Sequence, residues 1–101
     1  MPRRHELKCW PGPFQATVES QKRFEWRRDD RGFEPDDELL LREWVPEGNE
    51  WAPTGRATGA WCLVRVLYVL RGRFGVPDGY CVMSILVIGH GDTGSPPPPR
   101  R

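Results

Sequence analysis

Short apolar stretches that alternate with polar residues recur along the 101-residue chain and predict a domain built mainly from β-strands. Phe14 and Val18 stand at helical spacing just after Pro11, which suits a first helical turn, so we predict a short helix ending near Ser20. The predicted strands cover residues 5–9, 22–28, 39–44, 60–70 and 80–88. The order of elements is therefore β, α and then four further β.

Turn-forming residues separate these elements and indicate how the strands connect. The sequence Asp29-Asp30-Arg31-Gly32 predicts a turn, and with it a hairpin-like pairing of strand 22–28 with strand 39–44. Residues 45–59 show no periodicity and predict a long loop, whose length favours either a function or disorder. Short strands, many turn residues and one helix favour an α+β, mainly β fold, a small closed or nearly closed barrel with the helix covering one end.

Composition places one domain at residues 1–88 and a tail at residues 89–101. The tail is rich in Gly, Ser and Pro, so we predict that it is disordered, with Pro96 to Pro99 in the polyproline II conformation. A proline-rich segment followed by Arg100 is also compatible with an SH3-type ligand, but a solvated tail is the better interpretation, and we assign it no function.

The net charge of +1 conceals a segregation along the chain. Residues 32–55 contain seven acids and one base, Arg42, which is a net −6 and leaves +7 for the rest of the chain. A basic surface is therefore compatible with the near-neutral total, and binding of nucleic acid is not excluded.

The cysteines and histidines give no metal or redox motif. The three cysteines, Cys9, Cys62 and Cys81, are far apart and predict buried thiols in a reducing compartment. The two histidines, His5 and His90, form no cluster, so we expect no metal, no cofactor and no catalytic triad. The longest apolar run, residues 80–88, is far shorter than the roughly 20 residues of a membrane span, and no signal sequence follows Met1. We therefore expect a cytoplasmic protein without membrane association.

The strongest candidate site lies in the strand at residues 22–28. Alternation places Phe24 and Trp26 on one face, which we expect to anchor the core, and Arg23, Glu25 and Arg27 on the other. The candidate ligand-binding residues of this segment are Lys22, Glu25 and Arg27. Lysine and arginine contact phosphates, and a carboxylate accepts from a base amino group or orients the cations. The alternative interpretation is a structural ion-pair network on an exposed strand, which adds little stability.

Other candidates come from the loop and the first strand. Arg56 lies between two glycines in the predicted loop, where a guanidinium can close over a ligand, and Lys8 is a weaker candidate of the same kind. Trp44 and Trp51 flank the loop and are candidate stacking platforms for bases, whereas Trp26 and Trp61 are assigned to the core.

The chain resembles the ASCH superfamily of PUA-like barrels, and within it a small bacterial and phage family of unknown function. The resemblance covers about residues 5–88, with Ser20 at the usual glycine of a Gly-x-Lys-x-x-Glu-x-Arg pattern. It rests on His5-Glu6-Leu7-Lys8, Lys22-x-x-Glu25-x-Arg27, Asp30-Arg31-x-Phe33, Leu40 to Trp44, Thr54-Gly55-Arg56 and Gly75-x-Pro77-x-Gly79-Tyr80. The resemblance implies a PUA-like fold with a cleft between helix and barrel that binds RNA or a modified nucleobase.

Catalysis is the competing interpretation. Some relatives in the superfamily hydrolyse an acetylated cytidine with a lysine and, three residues later, a threonine nucleophile; here Glu25 stands at that position. A carboxylate flanked by cations is stabilised in its charged form, which weakens it as a general base. We therefore expect an RNA- or nucleotide-binding module rather than a hydrolase of RNA or of a modified nucleoside. The third alternative is a protein-interaction module that uses the acidic segment 34–50.

Overall fold

A computed structural model describes residues 2–48 and 54–99 of the chain. It contains, in order, strand β1 (Arg4–Cys9), helix α1 (Pro11–Val18), and strands β2 (Phe24–Arg28), β3 (Glu38–Pro46), β4 (Gly55–Arg71) and β5 (Tyr80–Gly91). The protein is thus a small, mainly β domain of the α+β class, and the predicted order of elements is confirmed. No helix in the described residues has the length and apolar character needed to cross a membrane.

The five strands form one mixed sheet in the order β1-β3-β4-β5-β2. Strand β1 runs parallel to β3, and the other neighbours are antiparallel. The predicted hairpin is therefore wrong, because β2 pairs with β5 while β3 lies between β1 and β4. Strands β1 and β2 are the two edges of the sheet. The Arg27 side chain links these edges, because its Nη2 donates to the Lys8 carbonyl at 3.0 Å. Arg31, in the segment after β2, also reaches β1, where its Nη1 donates to the Glu6 carbonyl at 3.1 Å.

Alternation along the central strands explains two separate apolar clusters. Leu39 and Leu41 belong to the main core, while Leu40, between them, points to the opposite face of the sheet. Helix α1 covers the main core with Phe14, which is 4% exposed. The second cluster, on the other face, consists of Leu40, Trp61 and Leu63.

Strands β3 and β4 extend further than the sequence predicts. The pairing of Trp44, Val45 and Pro46 with Ala57, Arg56 and Gly55 continues beyond a register shift between Arg42 and Trp44. Arg56 is therefore a strand residue, and residues 45, 46 and 55–59 of the predicted loop belong to the sheet. Residues 49–53, with the predicted platform Trp51, lie outside the described part of the chain.

Residues 92–99 follow β5, which runs three residues past the predicted end of the domain. Among the described residues, two hydrogen bonds join its backbone carbonyls to side chains of β4 and β1. The Ser95 carbonyl accepts from Trp61 Nε1 at 2.6 Å, and the Pro98 carbonyl accepts from Arg4 Nη1 at 2.7 Å.

Candidate functional site

A cavity of about 390 Å³ opens between the two edge strands and the start of helix α1. Because β1 and β2 do not pair with each other among the described residues, side chains rather than backbone bonds line this gap. Four of the predicted site residues meet here with two tryptophans. The lining residues are Lys8, Cys9, Trp10, Pro13, Lys22, Glu25, Trp26 and Arg27.

Strand β2 faces the opposite way from the prediction. Phe24 and Trp26 are 47% and 50% exposed, whereas Glu25 is only 2% exposed. The expectation that the aromatic pair anchors the core is therefore wrong. Strand β2 lies at the edge of the sheet, where its inward side chains face a cavity and not the centre of the core. A carboxylate can be buried there because two cations pair with it.

Each oxygen of the Glu25 carboxylate accepts from a different cation. Arg27 Nε donates to Oε1 at 2.8 Å, and Lys22 Nζ donates to Oε2 in a very short hydrogen bond. Lys22 Nζ also donates to the Phe24 carbonyl at 2.7 Å. Both cations remain partly exposed, at 20% for Lys22 and 26% for Arg27. The three side chains, called here the charged trio, form one connected network.

The end of helix α1 places Lys22 in this network. Ser20 adopts a left-handed backbone with φ of 58°, which stops the helix two residues earlier than predicted. The backbone N–H groups of Gln21 and Lys22 then both donate to the Ala16 carbonyl, at 2.9 and 3.0 Å. This turn fixes the start of the segment that leads into β2, so the lysine side chain projects toward Glu25.

Lys8 and Trp44 form a pair beside the cavity. The Lys8 ammonium lies 4.0 Å from the centre of a Trp44 ring, the geometry of a cation–π contact. Lys8 lines the cavity but Trp44 does not. Trp44, the predicted stacking platform for a base, therefore contacts the Lys8 ammonium instead.

The exposed aromatic rings of the cavity are Trp10 and Trp26. Trp10 is 39% exposed and immediately precedes the helix, as its N-terminal flanking residue. No periodicity in the sequence marks Trp10, although its position directly before Pro11-Gly12-Pro13 indicates a fixed place at a helix start. Trp26 was assigned to the core by alternation alone.

Arg56 lies away from these groups. It is exposed on β4 opposite Val45 and does not line the cavity. Because β4 begins at Gly55, Arg56 belongs to the sheet rather than to a mobile loop that could close over a ligand.

Cys9 lines the cavity as a neutral group. Burial, and after it the negative charge of Glu25, raise the pKa of the Cys9 thiol to about 11. The thiol is therefore protonated at neutral pH and is a poor nucleophile. Among residues 2–48 and 54–99, no group of three His, Cys, Asp or Glu side chains is arranged to hold a metal ion.

The arrangement suits a small anionic or hydrogen-bond-accepting ligand. Three cations (Lys8, Lys22 and Arg27) and one anion (Glu25) give the cavity wall a net charge of +2. Arginine has five N–H donors, and within the described residues Arg27 uses one for Glu25 and one for Lys8. The remaining donors are available to phosphate or carbonyl oxygens, and the volume falls in the range of small-molecule pockets, roughly 300–1,000 Å³.

Comparison with known proteins relates the chain to a protein family and to a phage protein. A family model described as "Domain of unknown function (DUF3850)" matches residues 4–85, a span that contains every residue lining the cavity. The chain is also similar to the "Uncharacterized 12.9 kDa protein in GpA 3'region" of Escherichia phage P2, with 44% identity over 41 residues. That alignment spans 41% of this chain and 38% of the phage protein.

Proposed function

The chain belongs to the DUF3850 family, and we propose that it is an ASCH-type, PUA-like module that binds RNA or a nucleotide in the cavity between β1, α1 and β2. One observation carries this proposal. A carboxylate that is 2% exposed is held by two partly exposed cations at the wall of a cavity that also contains two exposed tryptophan rings.

Stability alone does not account for the charged trio. Removing a carboxylate from water costs free energy that its ion pairs return only in part, and apolar residues of similar size often stabilise a protein as well or better. Here the carboxylate holds two partly exposed cations at the wall of a cavity, where both can form charge-assisted hydrogen bonds with an anionic ligand. The cations keep donors that a ligand can use.

The proposed recognition assigns a role to each group. Lys22, Arg27 and Lys8 neutralise a phosphate, with the remaining N–H donors of Arg27 contacting its oxygens. Glu25 orients the two cations, and its remaining lone pairs accept from a base amino group. Trp26 offers a ring on which a base can stack, a contact worth about 1–3 kcal/mol.

The barrel is also part of the proposal. Strand β2 lies close enough to β1 for Arg27 to reach the Lys8 carbonyl, and Arg31, just after β2, reaches the Glu6 carbonyl. We interpret this as a PUA-like barrel whose open seam is the ligand cleft, with helix α1 at its mouth.

The two alternative functions have less support. Among the residues that line the cavity, Glu25 is paired with two cations and the Cys9 thiol is protonated, so neither is activated for hydrolysis. The interpretation of residues 34–50 as an acidic protein-binding surface has less support, because three acids there already have partners. Asp37 bonds His5, Glu38 pairs with Arg4, and Glu43 accepts from Thr58.

The test is binding of labelled single-stranded and structured RNA across a salt series, with the RNA checked afterwards for cleavage. The cavity variant is Lys22→Met with Glu25→Met and Arg27→Met, which changes the net charge by −1. Arg56→Met is the matched control, because it also changes the charge by −1 but lies outside the cavity.

We expect the wild type and Arg56→Met to bind, with affinity that falls as salt rises by a slope of about −0.7 per phosphate contact for single strands. The cavity variant should lose binding, with the RNA intact. Equal RNA binding by the cavity variant and Arg56→Met would refute the cavity as the binding site. Absence of wild-type binding at low salt would refute RNA binding as the function. Cleavage of the RNA with turnover would favour the hydrolase alternative.

A further inference from the structure

The outer face of the sheet carries an apolar groove that is unrelated to the proposed nucleic-acid site. Its floor is the second apolar cluster, Leu40, Trp61 and Leu63, of which Trp61 is 5% exposed. A cavity of about 780 Å³ adjoins it, lined by five apolar residues and five charged ones: Pro2, Leu63, Ile88, Pro98 and Pro99, with Arg3, Arg4, Asp36, Glu38 and Arg65. None of the residues that line this cavity also lines the charged cavity.

The C-terminal segment of the chain itself occupies this groove. Trp61 Nε1 donates to the Ser95 carbonyl at 2.6 Å, and Arg4 Nη1 donates to the Pro98 carbonyl at 2.7 Å. Both acceptors are backbone carbonyls. Ser95 ends a turn that its N–H closes on the Asp92 carbonyl at 3.0 Å, and Pro98 lies within the proline run.

Glycines in β5 make room for the tryptophan ring and the segment. A Cβ atom on Gly91 would lie 2.8 Å from the Ser95 carbonyl oxygen and 3.0 Å from Trp61 Cζ2. A Cβ atom on Gly89 would lie 3.6 Å from the same ring. Gly91 therefore leaves the space in which the indole and the bound carbonyl meet.

These features match the chemistry of proline-rich segments. Proline has no N–H, so its neighbours' carbonyls have no partner within an extended proline run and are free to accept from side chains. Grooves that bind such segments combine an aromatic surface with side-chain donors aimed at carbonyls, and the stiff ligand loses little entropy on binding.

We propose that the groove formed by Trp61, Leu63, Ile88 and Arg4 is a docking site for proline-rich peptide segments, and that residues 92–99 occupy it in the free protein. A partner with a Ser-Pro-Pro-Pro sequence binds when it displaces this resident segment. The segment thereby lowers the apparent affinity of the groove, because a tethered competitor acts at an effective concentration of about millimolar.

The first experiment follows the indole N–H signal of Trp61 by NMR, assigned with Trp61→Phe. A full-length variant, Pro96→Ser with Pro97→Gly, Pro98→Ser and Pro99→Gly, should shift this signal as the segment leaves the groove. A peptide with the natural sequence of residues 92–101 should then restore the signal, and the same peptide with the four replacements should not.

The affinities give a second readout. The natural peptide should bind the proline-replaced variant at least tenfold more tightly than the wild type, whose groove is occupied. Adding Trp61→Phe to that variant should weaken binding about fivefold, because it removes one hydrogen bond of about 1 kcal/mol while keeping an aromatic ring.

Two results would overturn the proposal. An unchanged Trp61 signal in the proline-replaced variant would show that the segment is not held by its prolines. Failure of the natural peptide to restore the signal at millimolar concentration would show that the groove does not bind proline-rich segments. Binding of RNA by the charged cavity is measured separately and does not depend on either result.

Discussion

We predict that removing the two cations of the charged trio destabilises the protein, and that also removing the carboxylate restores much of the lost stability. Replacing both Lys22 and Arg27 by Met leaves the Glu25 carboxylate, 3% exposed, without a cation. An ionised side chain that is buried and unpaired is strongly unfavourable, so this double variant should be markedly destabilised. Adding Glu25→Met removes the unpaired charge and should return much of the lost stability.

The magnitude follows from the burial of the three groups. Breaking a buried ion pair costs about 3–5 kcal/mol, and we take about 3 kcal/mol because the two cations are themselves 20% and 26% exposed. For a domain of this size, about 3 kcal/mol corresponds to a fall in the melting temperature of about 12–24 °C. The triple Met variant should regain at least half of this loss. It does not regain all of it, because the bonds from Lys22 to the Phe24 carbonyl and from Arg27 to the Lys8 carbonyl are absent.

The assay is urea and thermal unfolding at pH 7, with Arg56→Met as the control for loss of a surface cation. A double variant as stable as the wild type would refute the argument, because Glu25 would then not depend on its cations. A triple variant less stable than the double would also refute it, since the carboxylate would then stabilise the fold in its own right. The rescued variant is the one used in the RNA-binding test, so that loss of binding is not confused with unfolding.

Three further predictions concern the rest of the fold. Burial opposes the charge of Asp37, but hydrogen bonds from His5 and from two backbone N–H groups outweigh it and hold the pKa of Asp37 below its usual value. Asp37→Asn should therefore cost about 1.5–3 kcal/mol at pH 7; in urea unfolding, this difference should persist above about pH 4 and shrink as the pH falls through the lower folded pKa. Gly59 has φ of 97°, and a Cβ there would meet the Thr93 methyl group, so Gly59→Ala should lower the unfolding free energy by about 1–3 kcal/mol in the same assay. Burial raises the pKa of Cys9 to about 11, so a thiol reagent at pH 7 should label this cysteine slowly in the native protein and rapidly in urea, as followed by mass spectrometry.

The sequence predicts which segments are strands better than it predicts their partners. Alternation is a local property, so the sequence places both ends of β1 and the starts of β3 and β5 to within one residue. Pairing depends on contacts between distant segments, and the turn at 29–32 suggested a hairpin that the sheet does not contain. The extra length of β3 and β4 arises because they pair with each other across residues that lack β-propensity, such as Pro46 and Gly55.

The same limit applies to the candidate site. Alternation along β2 separates Glu25 and Arg27 from Phe24 and Trp26, but it does not say which set faces inward. The usual assumption that aromatic residues are buried gave the wrong orientation, because a strand at the seam of the sheet faces a cavity rather than the centre of the core. Trp10 belongs to the site through its place at the helix start, which no pattern of hydrophobic residues reveals.

Arg27 connects the fold with the proposed function. Its Nε donates to Glu25 and its Nη2 donates to the Lys8 carbonyl, so one side chain both joins the edges of the sheet and forms the wall of the cavity. If the only role of Arg27 were to join β1 and β2, a buried carboxylate partner would be unnecessary. Direct backbone pairing of the two strands would join them with fewer charges. Because β1 and β2 are bridged by a guanidinium and not by backbone pairing, N–H donors of Arg27 remain at the wall of the cavity. The geometry that makes the sheet incomplete is thus the same geometry that makes the cavity suitable for an anionic ligand.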